Sequence, residues 1–317
     1  MSEHRGVALE ALRSYDVVPQ RVRLAAESFN SLFRVTTASA VYALRVGSVL
    51  QIHPEGTAAV EAAWHRRLRL QGVCVPDVVA NTDGELATLV TNGRPDHGSR
   101  TCILFEWVAG RSLRTSMTVR RSMTLGRLSA RLHQDAALWS PPGAGDVLAA
   151  DRVLYWRAPE QLAMAGSRFG YGTLFLDALA RAQSVVDSLW RCPPQPPHLV
   201  HGDLTPANVI VSPRDGLVPI DFQDTVRALE VQDLSITVAA LRRFPDSGRL
   251  VDAFRDGYSE YRPWPDVSPA LFESLIAGRA LHQMNLTLNL ADIDGLETYV
   301  ASHAARIRAW MRCPAGP

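Results

Sequence analysis

The chain has 317 residues, 47% hydrophobic and 21% charged, with a formal net charge of +1. That length buries a substantial core in one large domain or two lobes, and the near-neutral balance gives no electrostatic footing for nucleic acid or for a polybasic membrane contact. All 33 basic residues are arginine, which excludes a Walker A lysine, a Schiff-base lysine and a Ser-x-x-Lys nucleophile; charge on any bound phosphate must be met by arginine, histidine, backbone N–H groups or metal.

Taken in order, residues 7–18 predict a short helix ending near Val17-Val-Pro19. From Val22 to Val46, apolar and β-branched residues alternate around small polar turns, predicting three antiparallel strands with turns at Ser28-Phe-Asn30-Ser31 and Thr36–Ala40. Glu55–Leu70 carries Trp64, Leu68 and Leu70 at helical spacing, with Glu61 early in the helix, and stops at Gly72 and Pro76. Two strands follow within 77–100, around Asn81-Thr-Asp-Gly84 and a polar loop at 92–98. Cys102-Ile-Leu-Phe105 is an apolar strand running into Glu106-Trp-Val108-Ala-Gly110. The pattern then becomes helical: Ser122–Leu138, in which His133 reads as a packed structural histidine, and mixed segments over 149–191 that end at Pro193-Pro-Gln-Pro-Pro197.

The stretch with most chemistry is His198-Leu-Val-His201-Gly-Asp203-Leu-Thr-Pro-Ala-Asn208, followed by Val209-Ile-Val211, a turn at Ser212–Gly216, and Leu217-Val-Pro-Ile220-Asp221-Phe222. It predicts a hairpin with acid and amide side chains at the strand ends. Phosphoryl transfer from ATP divides its work in this way: one carboxylate orients the acceptor hydroxyl and takes its proton, while a second carboxylate and an amide oxygen hold Mg2+ on the phosphates. Asp203 suits the first task, Asn208 and Asp221 the second. Beyond Phe222 a loop enters an apolar helix with Asp233 at its start, as an N-cap or a brace for the Asp203 loop. Helices are predicted over Arg249–Tyr258, Pro269–Leu288 and Leu296–Met311. Asp292, Asp294 and Glu297 form a candidate acceptor-binding cluster, which a solvated helix N-terminus explains equally well.

His201-Gly-Asp203-Leu-Thr-Pro-Ala-Asn208 with Ile220-Asp221-Phe222-Gln-Asp224 resembles the signature of the aminoglycoside phosphotransferase family, which includes choline kinase and type II homoserine kinase. The resemblance implies an α+β, two-lobed, protein-kinase-like fold. A small β-rich lobe would span about 1–106 and a large, mainly helical one 107–317, with the hinge near 104–110 and ATP or GTP between them. It also implies that Ser28, Asn30 and Ser31 cover the nucleotide phosphates, that Arg45 stands where such kinases carry a lysine with Glu61 as its partner, and that main-chain atoms of Glu106 and Val108 meet the adenine. His201 and Asp233 would support the Asp203 loop. The expected acceptor is a small-molecule hydroxyl: an aminoglycoside or other antibiotic, homoserine or another amino alcohol, or a sugar. A protein Ser/Thr kinase and a non-catalytic nucleotide-binding pseudokinase are the alternatives; Arg45 and the glycine-poor turn favour the pseudokinase, and joint retention of Asp203, Asn208 and Asp221 opposes it.

The four cysteines, at 74, 102, 192 and 313, form no Cys-x-x-Cys pair, which predicts reduced thiols. Met1-Ser-Glu-His-Arg-Gly6 lacks an apolar signal core and no apolar run approaches the roughly twenty residues of a membrane span, so a soluble cytoplasmic protein is expected.

Overall fold

Residues 3–91, 98–141, 143–290 and 294–313 are described by the structure, a computed structural model; the polar loop over 92–97 and Asp292 lie outside the described residues. Helix α1 (Glu3–Leu12) begins and ends earlier than the sequence pattern suggests. It closes because Arg13, Ser14 and Tyr15 turn back onto Glu10, Ala11 and Leu12 with three-residue hydrogen bonds that tighten the last turn. The alternation from Val22 onward forms three antiparallel strands, β1 (Arg21–Glu27), β2 (Ser31–Thr36) and β3 (Val41–Val46). Helix α2 (Thr57–Leu70) follows, then β4 (Val78–Val79), β5 (Thr88–Thr91) and β6 (Ser99–Glu106). These six strands make one sheet ordered β1-β2-β3-β6-β4, with β5 also paired to β6.

Side chains alternate across a strand, and that parity decides which residues can meet. Leu44 and Val46 of β3 and Cys102 and Leu104 of β6 pack toward Val7, Ala8, Ala11 and Leu12 of α1. Ile103 and Phe105 pack on the opposite face with Ala62 of α2 and the partly buried Ala43. Arg45, out of phase with Leu44 and Val46 and in register with Ile103, therefore stands on the α2 face.

The chain continues through β7 (Arg111–Ser112), α3 (Val119–Ala137), α4 (Leu162–Phe169), α5 (Gly172–Arg191), β8 (His198–Val200), β9 (Val209–Ser212), β10 (Gly216–Pro219), β11 (Val226–Ala228), α6 (Glu230–Leu241), α7 (Ser247–Ser259), α8 (Pro269–Asn289) and α9 (Leu296–Arg312). Strands β9 and β10 are the hairpin read from the sequence, running from Ser212 opposite Gly216 to Val209 opposite Pro219, and β7 adds to β9. One compact unit comprises Met1–Ser116, Trp139–Val147 and Ala207–Gln223; the other comprises Met117–Leu138, Leu148–Pro206 and Asp224–Pro317. The hairpin that carries Asn208 and Asp221 thus belongs to the unit containing the six-stranded sheet.

In the second unit, β8 pairs with β11, with Val200 opposite Val226. Helices α3 and α7 cross closely because each presents a glycine: a β-carbon on Gly126 would lie 2.0 Å from the Phe254 carbonyl oxygen, and one on Gly257 would lie 2.0 Å from that of Met123. Helix α8 packs against α4, α5, α6 and α9 and buries Leu275, Ala277, Leu281 and Met284. Among the described residues no helix is long and apolar enough to cross a membrane.

Candidate active site

The β9–β10 hairpin brings two of the expected residues to one place. Asn208 ends a single turn of 3-10 helix, Pro206–Asn208, and its carbonyl accepts the Ile220 N–H at 2.9 Å, so the chain just before Asp221 lies beside Asn208. Asp221 has φ of 63°, a left-handed conformation uncommon for a residue with a β-carbon. The next residue anchors it. Phe222 is fully buried, with its ring 5.3 Å from that of Trp64 and 4.4 Å from that of His65, both on α2. Burying such a ring stabilises by about 1.5–3 kcal/mol, enough to offset the cost of holding Asp221 turned outward.

Ser28, Asn30, Arg45, Glu106, Val108, Asn208 and Asp221 line a single cavity of about 370 Å3, and Leu32, Phe105 and Ile210 give it apolar walls. The size and the mix of a few polar groups with apolar walls are those of a small-ligand site. Arg45 makes a two-pronged ion pair with Glu61, Nη1 to Oε1 at 2.8 Å and Nη2 to Oε2 at 2.5 Å, and its Nη1 also lies 3.5 Å from Asp221 Oδ1. Glu61 is only 1% exposed at its side chain and Arg45 12%, and the guanidinium carbon sits 5.6 Å from the Phe105 ring centre. At the end of β6, the Glu106 N–H is donated to the Asp77 carbonyl and the Trp107 N–H to that of Val41. What Glu106 can offer a ligand is its carbonyl.

The turn between β1 and β2 departs from the sequence reading. Ser28 donates its N–H to the Asn30 carbonyl, so its hydroxyl is the group it brings to the cavity. The Asn30 amide accepts from the Ser48 N–H and donates to Gln223 Oε1, which fastens the turn to the segment after Phe222. Ser31 does not line the cavity. It is in phase with Phe33 and Val35, buried toward α1, where its hydroxyl is hydrogen-bonded to His4 Nδ1.

In the second unit, the loop after β8 carries His201, Gly202 and Asp203. His201 is fully buried, and its Nδ1 accepts the Asp203 N–H at 3.3 Å. Gly202 adopts φ of 77°, and a β-carbon there would lie 2.1 Å from the Asp224 carbonyl oxygen, so the loop tolerates only glycine. Asp233 is not the N-cap of α6, a position held by Leu229; it sits inside the first turn, 1% exposed, and Oδ1 accepts the Gly202 N–H at 2.8 Å. Its other oxygen meets His133 Nε2 at 3.0 Å. The chain of contacts continues from His133 Nδ1 to the Tyr258 hydroxyl at 3.0 Å, and from that hydroxyl to Glu230 Oε2 at 2.8 Å. Glu230 is in turn paired with His198 and Arg262. Burial pushes the Asp233 carboxyl up, but the His133 ring, the nearby His201 and the Gly202 N–H outweigh it and hold the group below its usual range.

A further residue at Asp203 has no motif in the sequence to mark it. Arg279 of α8 places Nη2 3.2 Å from Asp203 Oδ1 and 3.6 Å from Asp224 Oδ2, and donates from Nη1 to the Tyr155 hydroxyl at 3.0 Å. Its guanidinium carbon lies 5.0 Å from the Trp156 ring centre. Asp294 and Glu297, by contrast, are exposed around the start of α9.

The phosphotransferase enzyme family model matches residues 22–269. The chain belongs to this family. As a phosphotransferase it shares the α+β, protein-kinase-like fold with several solved structures. A microcompartment-associated aminopropanol kinase is 24% identical over 96% of this chain and 95% of its own, with a TM-score of 0.76. An amicoumacin kinase in complex with AMP-PNP and Ca2+ is 19% identical over 100% and 96%, TM-score 0.79. A spectinomycin phosphotransferase in complex with ADP and spectinomycin is 12% identical over 99% of each chain, TM-score 0.66. No curated protein matches the sequence.

The donor set of this phosphotransferase fits a hard cation held partly by a ligand. Asn208 and Asp221 supply an amide and a carboxylate beside one cavity, and no group of three or more His, Cys, Asp or Glu side chains forms a metal cage among the described residues. Mg2+ is held in this manner, by one or two carboxylates plus substrate phosphates.

Proposed function

We propose that this phosphotransferase moves the γ-phosphate of ATP, with Mg2+, to a hydroxyl of a small molecule. The observation that carries the reading is the lining of one cavity by Asn208, Asp221, Arg45 and the Glu106–Val108 segment. Apolar walls suit a base, the Glu106 carbonyl and the Val108 backbone suit its hydrogen-bonding edge, and Arg45, the Ser28 hydroxyl and the β1–β2 turn suit phosphates. Asn208 and Asp221 would hold the metal, which when bound neutralises charge building on the phosphate oxygens. Asp203 orients the acceptor hydroxyl and accepts its proton; because the transition state is loose, positioning is the larger share of its work.

For the acceptor, the charges around Asp203 favour a compound of low positive charge, such as an amino alcohol or a sugar, over a polycationic aminoglycoside. Arg279 offsets the carboxylates of Asp203 and Asp224, while Asp294 and Glu297 are exposed at the start of α9. The test is transfer of labelled γ-phosphate from ATP and from GTP to a panel of amino alcohols, homoserine, choline, sugars, aminoglycosides and other hydroxylated antibiotics, with Asp203→Ala as control. Transfer that disappears in the control supports the reading and names the acceptor class. Mg2+-dependent nucleotide binding with no transfer to any compound would favour a non-catalytic nucleotide-binding role instead.

A further inference from the structure

Arg279 is the one charge in the stretch Leu275-Ile-Ala-Gly-Arg-Ala-Leu-His-Gln-Met284, on a helix whose neighbours along the buried face are Leu275, Gly278, Leu281 and His282. Its side chain is 8% exposed. A charge is almost never buried this far without partners that repay its desolvation, and here the partners are specific. Nη2 reaches Asp203 and Asp224 while Nη1 reaches the Tyr155 hydroxyl, and the Trp156 ring lies under the guanidinium. Tyr155 is itself fixed, stacked on the His282 ring with centres 4.0 Å apart. A planar, forked cation can make these contacts together, whereas a lysine ammonium is a single point of charge.

The geometry points to Arg279 as a positioning residue for phosphoryl transfer: from α8 it grips the Asp203 carboxylate at Oδ1 and joins it to Asp224, so that Asp203 meets the acceptor hydroxyl in one orientation. The inference rests on the reading of Asp203 as the residue that orients that hydroxyl. Asp203 is 23% exposed and sits on a loop, so its main-chain anchors at Gly202 and His201 set the position of the backbone and leave the carboxylate to be turned by what holds its oxygens.

The test measures kcat and KM for Arg279→Gln, Arg279→Lys and Tyr155→Phe, and for Arg279→Gln combined with Asp203→Asn, on the acceptor found for the wild-type protein. Failure of the functional reading shows in the wild-type protein, which then transfers nothing, whereas failure of this inference shows only in the variants. Misplacement of a catalytic group by about 1 Å costs on the order of 100-fold, so kcat for Arg279→Gln is expected to fall about that far while KM for ATP stays within about threefold. Arg279→Lys, which keeps a buried charge should the glutamine variant not fold, is expected to recover part of kcat, and Tyr155→Phe to lose a few-fold. In the Asp203→Asn background Arg279→Gln is expected to add no further loss, because the group it positions is gone. Arg279→Gln or Arg279→Lys with wild-type kcat, or losses that multiply in the double variant, would overturn the proposal.

Discussion

Removal of the Glu61 carboxylate gives the sharpest test of how the first unit is held together. Glu61→Ala deletes both charge-assisted hydrogen bonds to Arg45, at 2.8 and 2.5 Å, and leaves a guanidinium that is only 12% exposed. Breaking one side of a buried ion pair costs about 3–5 kcal/mol, since the surviving charge stays desolvated. Two features of this site reduce that cost: Asp221 Oδ1 lies 3.5 Å from Nη1, and the Phe105 ring faces the guanidinium at 5.6 Å. The expected loss is therefore nearer the lower bound, about 3 kcal/mol. Urea denaturation followed by tryptophan fluorescence reads it, with buried Trp64 on the same helix as a reporter. A second consequence is chemical. Without Glu61, the Arg45 guanidinium still lies 3.5 Å from Asp221 and competes more strongly for its carboxylate, so the Mg2+ concentration giving half-maximal transfer should rise. A Glu61→Ala protein with an unchanged urea midpoint and an unchanged Mg2+ requirement would show that the Arg45–Glu61 pair neither stabilises the fold nor restrains Arg45.

Two further outcomes follow from the second unit. The folded pKa of Asp233 lies below its usual value, so the unfolded chain binds that proton more tightly, and the stability it contributes is present above about pH 4 and lost as pH falls through the folded value. Asp233→Asn should therefore lower the unfolding free energy at pH 7 by about 1–3 kcal/mol, and its urea midpoint should fall less than that of the wild-type protein between about pH 5 and 3; an identical acid profile would contradict the assignment. Gly257→Ala places a methyl group 2.0 Å from the Met123 carbonyl oxygen and should cost at least about 1–3 kcal/mol by forcing α3 and α7 apart, measured by thermal melting; a variant as stable as the parent would show that the helices separate freely.

The parts of this fold visible in the sequence are those in which one local rule acts alone. Period-two alternation gave β1 to β3 and placed Arg45 on a strand, helical spacing gave α2 with Glu61, and the turn at Ser212–Gly216 gave the β9–β10 hairpin. The same alternation applied one residue further would have turned Ser31 inward, because it shares phase with Phe33 and Val35. Asp233 was legible as a brace but not as a group inside the helix, because burial beside His133 comes from the packing of α3 on β8, remote in sequence from α6. Arg279 left a fainter mark, a single charge in the mainly apolar stretch Leu275–Met284. Its partners, Tyr155, Asp203 and Asp224, are separated from it by 55 to 124 residues, and no local pattern connects them. Asp294 and Glu297 looked like a binding cluster because acids near an expected helix start fit two explanations, and both are exposed.

Asp221, left-handed at its backbone and lining one cavity with Asn208, is the residue we propose to hold the metal for transfer. The decisive measurement is γ-phosphate transfer by the Asp221→Ala protein, compared with wild type at the same Mg2+ concentration and checked for folding by circular dichroism. The expected result is a folded protein in which transfer is abolished. Undiminished turnover by that variant would contradict it.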